Sequence, residues 1–98
     1  MSTETSTDVK VKLKLPSRYN VIMHNDDTTV MDFVVFILMD IFKHDEKAAQ
    51  KLMMKIHNED SAVVGNYTKE MAETKIEMTT TYAKGAGFPN FKVTMEEE

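Results

Sequence analysis

A long, almost uninterrupted apolar segment over residues 29–42 constrains the fold of this chain more than any other feature. Only Asp32 and Asp40 are ionisable within it. A helix at a protein surface needs a polar face, so a helix with so few polar positions is expected to be buried around most of its circumference. The segment therefore predicts a central core helix, with the remaining elements packed around it.

Chain length and composition predict one domain and exclude several classes of partner. A chain of 98 residues that is 42% hydrophobic and 29% charged has the size and balance of one globular domain. Acidic residues outnumber basic ones by 16 to 12, which argues against binding to nucleic-acid phosphates. The absence of cysteine excludes disulfides and zinc–thiolate sites, and the polar start lacks the features of a secretory signal. We therefore expect a cytoplasmic protein that binds neither nucleic acid nor a membrane.

Hydrophobic periodicity predicts five further elements around the apolar helix. They are strands over 18–24, 61–67 and 91–95, a helix over 46–57 and a third helix that ends near residue 84. Asp45 and Thr68 are suitable N-caps for the two additional helices. The order β-α-α-β-α-β predicts an α+β fold in which three helices pack on one face of a three-stranded antiparallel sheet.

The first 15 residues differ in character from the rest of the chain. A Ser/Thr/acid string is followed by alternating Lys and apolar residues over 10–15, and the alternation stops at Pro16. Such a segment could pair as an edge strand, but its composition favours a flexible tail. We therefore predict a flexible tail over residues 1–15 and a single domain over residues 16–98.

Three short polar residues, Asn25, Asp26 and Asp27, separate the first strand from the apolar helix. Residues of this kind are common in turns and at helix N-termini, and a cap needs only one of them. The same side chains can also direct several carbonyl and carboxylate oxygens towards one small cation. The pattern alone is compatible with a structural turn and with a binding site.

A second group of residues could complete such a site. His57 closes the second predicted helix, and apolar residues on the two central helices could stand beside it. These are Met31, Val34, Leu38, Met53 and Ile56. Oxygens, an imidazole and a Met-rich hollow would suit a ligand with a cationic head and a large hydrophobic side chain. In the structural interpretation, His57 interacts with the helix dipole and the methionines fill the core.

Four sequence blocks together resemble one protein family. They are Tyr-x-Val-Ile-x-x-Asn-Asp-Asp-x-Thr over 19–29, Met-Asp-Phe-Val over 31–34, Leu-Met-x-x-Ile-His over 52–57 and Gly-x-Tyr-Thr-x-Glu-x-Ala-Glu-Thr-Lys over 65–75. In this order and at these separations they resemble ClpS, the adaptor of the bacterial ATP-dependent Clp protease. The resemblance covers roughly residues 16–95.

This resemblance implies a bacterial recognition module that is not an enzyme. It implies binding to proteins and peptides that begin with a destabilising residue, typically Leu, Phe, Tyr or Trp, and delivery of those proteins to a Clp AAA+ unfoldase. The unfoldase would be of the ClpA or ClpC type and would be contacted through its N-terminal domain. The resemblance implies a monomer with no cofactor, no metal and no catalytic residue.

The family's cradle for the free α-amino group corresponds to residues just before the first predicted helix and at the end of the second. Asn25, one or both of Asp26 and Asp27, and His57 match that cradle, directly or through water. Thr29 matches a contact to the backbone of the bound N-terminal segment.

The family's side-chain pocket corresponds to the five apolar residues named above, with Met31 as its gate. Glu70 and Lys75 on the third helix match a surface that meets the unfoldase, and the tail before Pro16 matches a segment used in delivery.

The sequence departs from the family pattern at two places. Thr28 and Val30 replace an aromatic residue and a proline, with Thr28 able to cap the helix instead, and Asn90 or Phe91 occupies a rim where the family tends to have leucine.

Two other classes of function are compatible with parts of the pattern. The predicted fold also resembles the C-terminal domain of the ribosomal stalk protein, which would indicate an interaction module of another kind. A metal-dependent enzyme could use His24, Asp26, Asp27 and His57, although no nucleophile or general-base arrangement accompanies them.

Overall fold

In a computed structural model that describes residues 17–98, three helices cover one face of a three-stranded antiparallel sheet. The elements are β1 (Arg18–His24), α1 (Met31–Asp40), α2 (Glu46–Glu59), β2 (Ser61–Thr68), α3 (Lys69–Gly85) and β3 (Val93–Glu97). The predicted fold class and element order are confirmed. The predicted tail over residues 1–15, including the alternative edge strand, lies outside the described residues.

The sheet has the order β2-β1-β3, so that β1 is its central strand. Val21 and Met23 of β1 are fully buried, while the residues between and beyond them are partly exposed. This alternation places one face of the strand under the helices and the other towards solvent. Beyond the sheet, Ile37 and Leu38 of α1 are also fully buried and form the other side of the core.

A bulge in β2 shifts the register of the sheet. Val21 pairs with Gly65 and Ile22 with Val63, which leaves Val64 as the additional residue. The Nε2 atom of His44 donates to the Val64 carbonyl oxygen at 2.7 Å. The connection between α1 and α2 is thereby attached to the bulge.

The central helix is shorter and more exposed than its sequence predicted. It spans Met31–Asp40 instead of residues 29–42, and its N-cap Val30 makes no side-chain cap. The predicted cap by Thr28 is wrong, because the Thr28 hydroxyl donates to Asp26. Phe36 remains 47% exposed, since all three helices lie in one layer and the outer side of α1 is not covered. The expectation of burial around most of the circumference is therefore also wrong.

The other two N-caps are confirmed. The Asp45 side chain accepts from the Ala48 N–H at 2.8 Å, and the Thr68 hydroxyl accepts from the Met71 N–H at 3.3 Å. Helix α2 continues two residues beyond its predicted end and stops where Asp60 adopts a left-handed conformation, with φ of 78°.

The last strand begins two residues later than predicted. Phe91 precedes β3 and lies in a turn in which its N–H donates to the Phe88 carbonyl at 3.2 Å. The ladder with β1 begins instead where Val93 pairs with Met23. The turn leaves Phe91 buried beside the helices.

Candidate functional site

The polar junction after β1 is tied to the end of α2 by a backbone hydrogen bond. The Asn25 N–H donates to the Asp60 carbonyl at 2.8 Å. Asp60 is the residue at which α2 ends, one turn after His57. This bond continues the β1–β2 ladder beyond the pair His24 and Ser61. Ladder and bond together bring the junction of β1 and α1 to the end of α2, and Asn25 and His57 border the same cavity.

A cavity of about 350 Å³ opens between this junction, the start of α1 and the inner face of α2. Its lining residues are Asn25, Asp26, Asp27, Thr29, Val30, Met31, Val34, Met53, Ile56, His57 and Phe91. The polar lining residues come from the junction and from the end of α2, and the apolar ones come mainly from the two helices. The structure thus brings together nine of the ten residues proposed from the sequence to contact a ligand.

Asp26 is held in place by the two threonines that follow it. Its Oδ2 atom accepts hydrogen bonds from the hydroxyls of Thr29 and Thr28, both at 2.7 Å. These bonds, from Thr29 first and then from Thr28, hold the pKa of the Asp26 carboxyl below its ordinary value because they stabilise the charged form. The carboxylate is therefore ionised at neutral pH and contributes a fixed negative charge to the cavity.

The apolar walls divide into deep and superficial parts. Val34, Met53 and Ile56 are at most 9% exposed and form the interior. Met31 is 41% exposed and lies at the opening, at the first position of α1. A molecule that enters the cavity would therefore have to pass the Met31 side chain.

Leu38 is the one proposed ligand-contacting residue that does not line the cavity. It is fully buried in the hydrophobic core, one turn beyond Val34 on the same side of α1. Helical spacing placed it on the correct face of the helix. The pattern could not distinguish a wall residue from a core residue one turn deeper.

Two lining residues were not selected from the sequence. Val30 is 54% exposed at the opening, and in the sequence it is marked only as a replacement near the start of the helix. Phe91 was one of two candidates for the rim near the last strand. The structure places Phe91 in the lining and leaves Asn90 exposed outside it, because the turn before β3 directs Phe91 inwards.

Glu70 and Lys75 lie on α3 and do not border the cavity. Glu70 is exposed in the first turn of the helix. Lys75 is partly buried, and its Nζ atom donates to the Ile41 carbonyl at 2.7 Å while lying 5.7 Å from the centre of the Tyr67 ring. A lysine ammonium at the C-terminal end of α1 complements the partial negative charge of the helix. Lys75 thus connects α1, α3 and β2.

Replacing Lys75 should destabilise the fold. Lys75→Met keeps most of the aliphatic length but removes the charged donor, so we expect a loss of about 1–3 kcal/mol in the free energy of unfolding. Urea denaturation followed by circular dichroism measures the change. The exposed Lys55→Met in α2 serves as the control and should change stability by less than about 0.5 kcal/mol. Equal unfolding midpoints for the two variants would show that the Lys75 bond is energetically neutral.

The described part of the chain does not assemble the metal site considered above. Within residues 17–98, no three His, Cys, Asp or Glu side chains are placed to hold a metal ion together. The Nε2 atom of His24 instead pairs with the Thr94 hydroxyl at 2.8 Å, and His24 does not border the cavity.

None of the helices formed by residues 17–98 is both long enough and apolar enough to cross a membrane.

Comparison with known proteins identifies one family. The model of the family described as "ATP-dependent Clp protease adaptor protein ClpS" matches residues 14–93. The chain is 43% identical to the ClpS adapter of Oleidesulfovibrio alaskensis over 99 aligned residues, which cover 99% of this chain and 94% of that protein. It is 46% identical to the ClpS adapter of Burkholderia thailandensis over 86 residues, which cover 88% of this chain and 82% of that protein.

A solved structure has the same fold. Agrobacterium tumefaciens ClpS2 bound to L-phenylalaninamide superposes with a TM-score of 0.81 at 38% sequence identity. The alignment covers 86% of this chain and all of that one.

Proposed function

Because the chain belongs to the ClpS family of ATP-dependent Clp protease adaptor proteins, we propose that its cavity binds the exposed N-terminal residue of proteins that are to be degraded. One observation carries the proposal. A single cavity combines an ionised carboxylate, an amide and an imidazole with a buried apolar interior. An N-terminal residue with a large apolar side chain combines the matching groups, an ammonium and a hydrophobic body.

The polar residues fit the ammonium group. A free N-terminus has three donors, and Asn25, His57 and a carboxylate of Asp26 or Asp27 offer three acceptors. Both threonine hydroxyls use the same oxygen of Asp26, so its other oxygen, Oδ1, retains its capacity to accept. In this arrangement Thr29, which is 9% exposed, positions the acidic residue.

The apolar interior fits one large side chain. A volume of about 350 Å³ lies at the small end of ligand cavities, which are typically 300–1,000 Å³. Met31 and Met53 are flexible and can adapt to side chains of different shape, which favours Leu, Phe, Tyr and Trp at the N-terminus of the bound protein. The relative from A. tumefaciens was solved with phenylalaninamide, a compound with a free amine and a phenyl ring, which supports this assignment.

Binding of a Phe-initiated peptide should weaken as the pH rises through the pKa of the peptide amine. The amine loses its charge above its reference pKa of about 7.7–8.0, and the neutral form brings fewer donors and no charge to the acceptors of the polar junction. Affinity should therefore fall between about pH 7 and 9. Calorimetric titrations across this range measure the profile. A flat profile would show that the charged ammonium is not recognised.

We further propose that the protein delivers its ligand to a Clp AAA+ unfoldase of the ClpA or ClpC type in the bacterial cytoplasm and acts as a monomer without enzymatic activity. Membership in an adaptor family supports this role. The exposed side of α3 around Glu70 is the proposed contact with the N-terminal domain of the unfoldase. Because the Lys75 ammonium is bonded to Ile41, its contribution to that contact would be to hold α3 against α1.

The tail is proposed to act in delivery and not in ligand binding. Ser17, the first described residue, borders Thr68 and Glu70 at the start of α3 and does not border the cavity. Deleting residues 1–14 should leave peptide affinity unchanged and should slow degradation of a bound substrate by the cognate protease. Fluorescence anisotropy and a degradation assay measure the two quantities. Equal degradation by the truncated and full-length proteins would contradict this role.

A further inference from the structure

Phe91 differs in kind from the other apolar residues of the cavity. Among the apolar lining residues it is the aromatic one, whereas the remaining apolar members are valines, an isoleucine and methionines. An aliphatic wall stabilises a bound side chain through the apolar area that it covers. An aromatic wall adds an attraction that depends on ring geometry and that distinguishes an aromatic side chain from an aliphatic one.

The Phe91 ring is held in one orientation by its surroundings. It is 6% exposed, and its centroid lies 6.2 Å from that of Phe33 at an interplanar angle of 83°, an edge-to-face contact. Phe33 in turn lies 5.0 Å from the Phe88 ring, and the Phe91 backbone donates to the Phe88 carbonyl. Packing on this side prevents the ring from turning away when the cavity is occupied. Met31 and Met53, by contrast, can rearrange around any ligand.

We infer that Phe91 makes the cavity selective for aromatic over aliphatic N-terminal side chains. The inference rests on the proposed function and extends it by assigning a residue to the choice among large apolar side chains. Phe33 acts as a positioning residue that holds the selective ring, and the methionines accept both kinds of side chain.

The expected size of the effect follows from measured aromatic pairs. Such pairs are worth a factor of roughly 2–12 in affinity beyond the area that they bury. A Phe-initiated peptide should therefore bind more tightly than a Leu-initiated one by more than the difference in apolar area predicts. A peptide that begins with cyclohexylalanine separates the two contributions, because it has a six-membered ring of similar size but no π-system.

The test uses the full-length protein and three peptides that differ only in the first residue: Phe, cyclohexylalanine or Leu. Isothermal titration calorimetry gives their affinities for the native protein and for Phe91→Leu, Phe91→Met and Tyr82→Leu. Phe91→Leu and Phe91→Met remove the aromatic wall with two different shapes, and circular dichroism verifies that each variant is folded. Tyr82→Leu is the matched control, because Tyr82 is an aromatic residue that packs on Phe36 and does not line the cavity.

We expect the native protein to prefer Phe over cyclohexylalanine by roughly 2–12-fold. The preference should disappear in every folded Phe91 variant and persist in Tyr82→Leu. Three results would overturn the inference while leaving the proposed function intact: no native preference for Phe, a preference that survives loss of Phe91, or an equal loss in Tyr82→Leu. Failure of the native protein to bind any of the three peptides would overturn the proposed function and the inference with it.

Discussion

N-acetylation of a Phe-initiated peptide should reduce its affinity for the protein by about 100-fold or more, which corresponds to about 3 kcal/mol. Acetylation removes the positive charge and leaves one N–H donor in place of three. The acceptors of Asn25, His57 and the acidic pair would then be desolvated by the ligand without receiving hydrogen bonds. Each such group costs about 1–3 kcal/mol, so the penalties of two groups suffice for the expected loss. Calorimetry with the two forms of one peptide measures the difference.

A variant of the polar junction shows whether the loss arises there. Asn25→Ala removes one acceptor but keeps the backbone hydrogen bond to Asp60, so the cavity should retain its shape. The free-amine peptide should bind more weakly to this variant, and the penalty for acetylation should shrink. Asn66→Ala is the matched control, because Asn66 lies on the opposite face of the sheet with Arg18 and Asn20 as its partners. Equal binding of the free and acetylated peptides to the native protein would refute recognition of the amine.

Met31→Ala should admit peptides that begin with Ile or Val, improving their affinity by about 10-fold or more. Met31 is 41% exposed at the opening of the cavity, where we propose that it lies beside the ligand Cβ atom. A side chain that branches at Cβ would collide with it, and a steric conflict of about one methyl group is worth roughly 1–3 kcal/mol. Peptides that begin with Leu or Phe should still bind, because Val34, Met53 and Ile56 remain in place.

Competition assays with Leu, Phe, Ile and Val peptides measure this change in selectivity. Met54→Ala provides the control, because Met54 is similarly exposed at 44% and does not line the cavity. The selectivity of the Met54→Ala variant should match that of the native protein. If Leu and Phe binding collapses in Met31→Ala while Ile and Val gain nothing, Met31 supports the wall and another residue forms the gate.

The order of the elements was predictable because each carries a local signal. The alternation around Val21 predicts a strand, the spacing of Met53 and Ile56 predicts the face of α2, and the caps at Asp45 and Thr68 predict two helix starts. These features depend on residues within one turn or one strand of each other. The structure confirms all of them.

The errors concern contacts between residues that are distant in the sequence or compete for one partner. Thr28 has the chemistry of a cap, but Asp26 takes its hydroxyl, and the start of α1 moves to Met31. No local signal around Lys75 could show that its ammonium reaches the Ile41 carbonyl 34 positions away. Helical spacing could not assign Leu38 to the core, and the strand predicted over 91–95 could not show that a turn directs Phe91 to the lining.

The backbone hydrogen bond between Asn25 and Asp60 has a kinetic consequence. Because it joins the two borders of the cavity through main-chain atoms, the site is formed before the ligand arrives, and no rearrangement is needed on encounter. Association with different N-terminal residues should then proceed at similar rates, and discrimination should appear in how long each ligand remains bound. For a protein proposed to pass its cargo to a protease, residence time is the quantity that decides which cargo is still held when the protease engages.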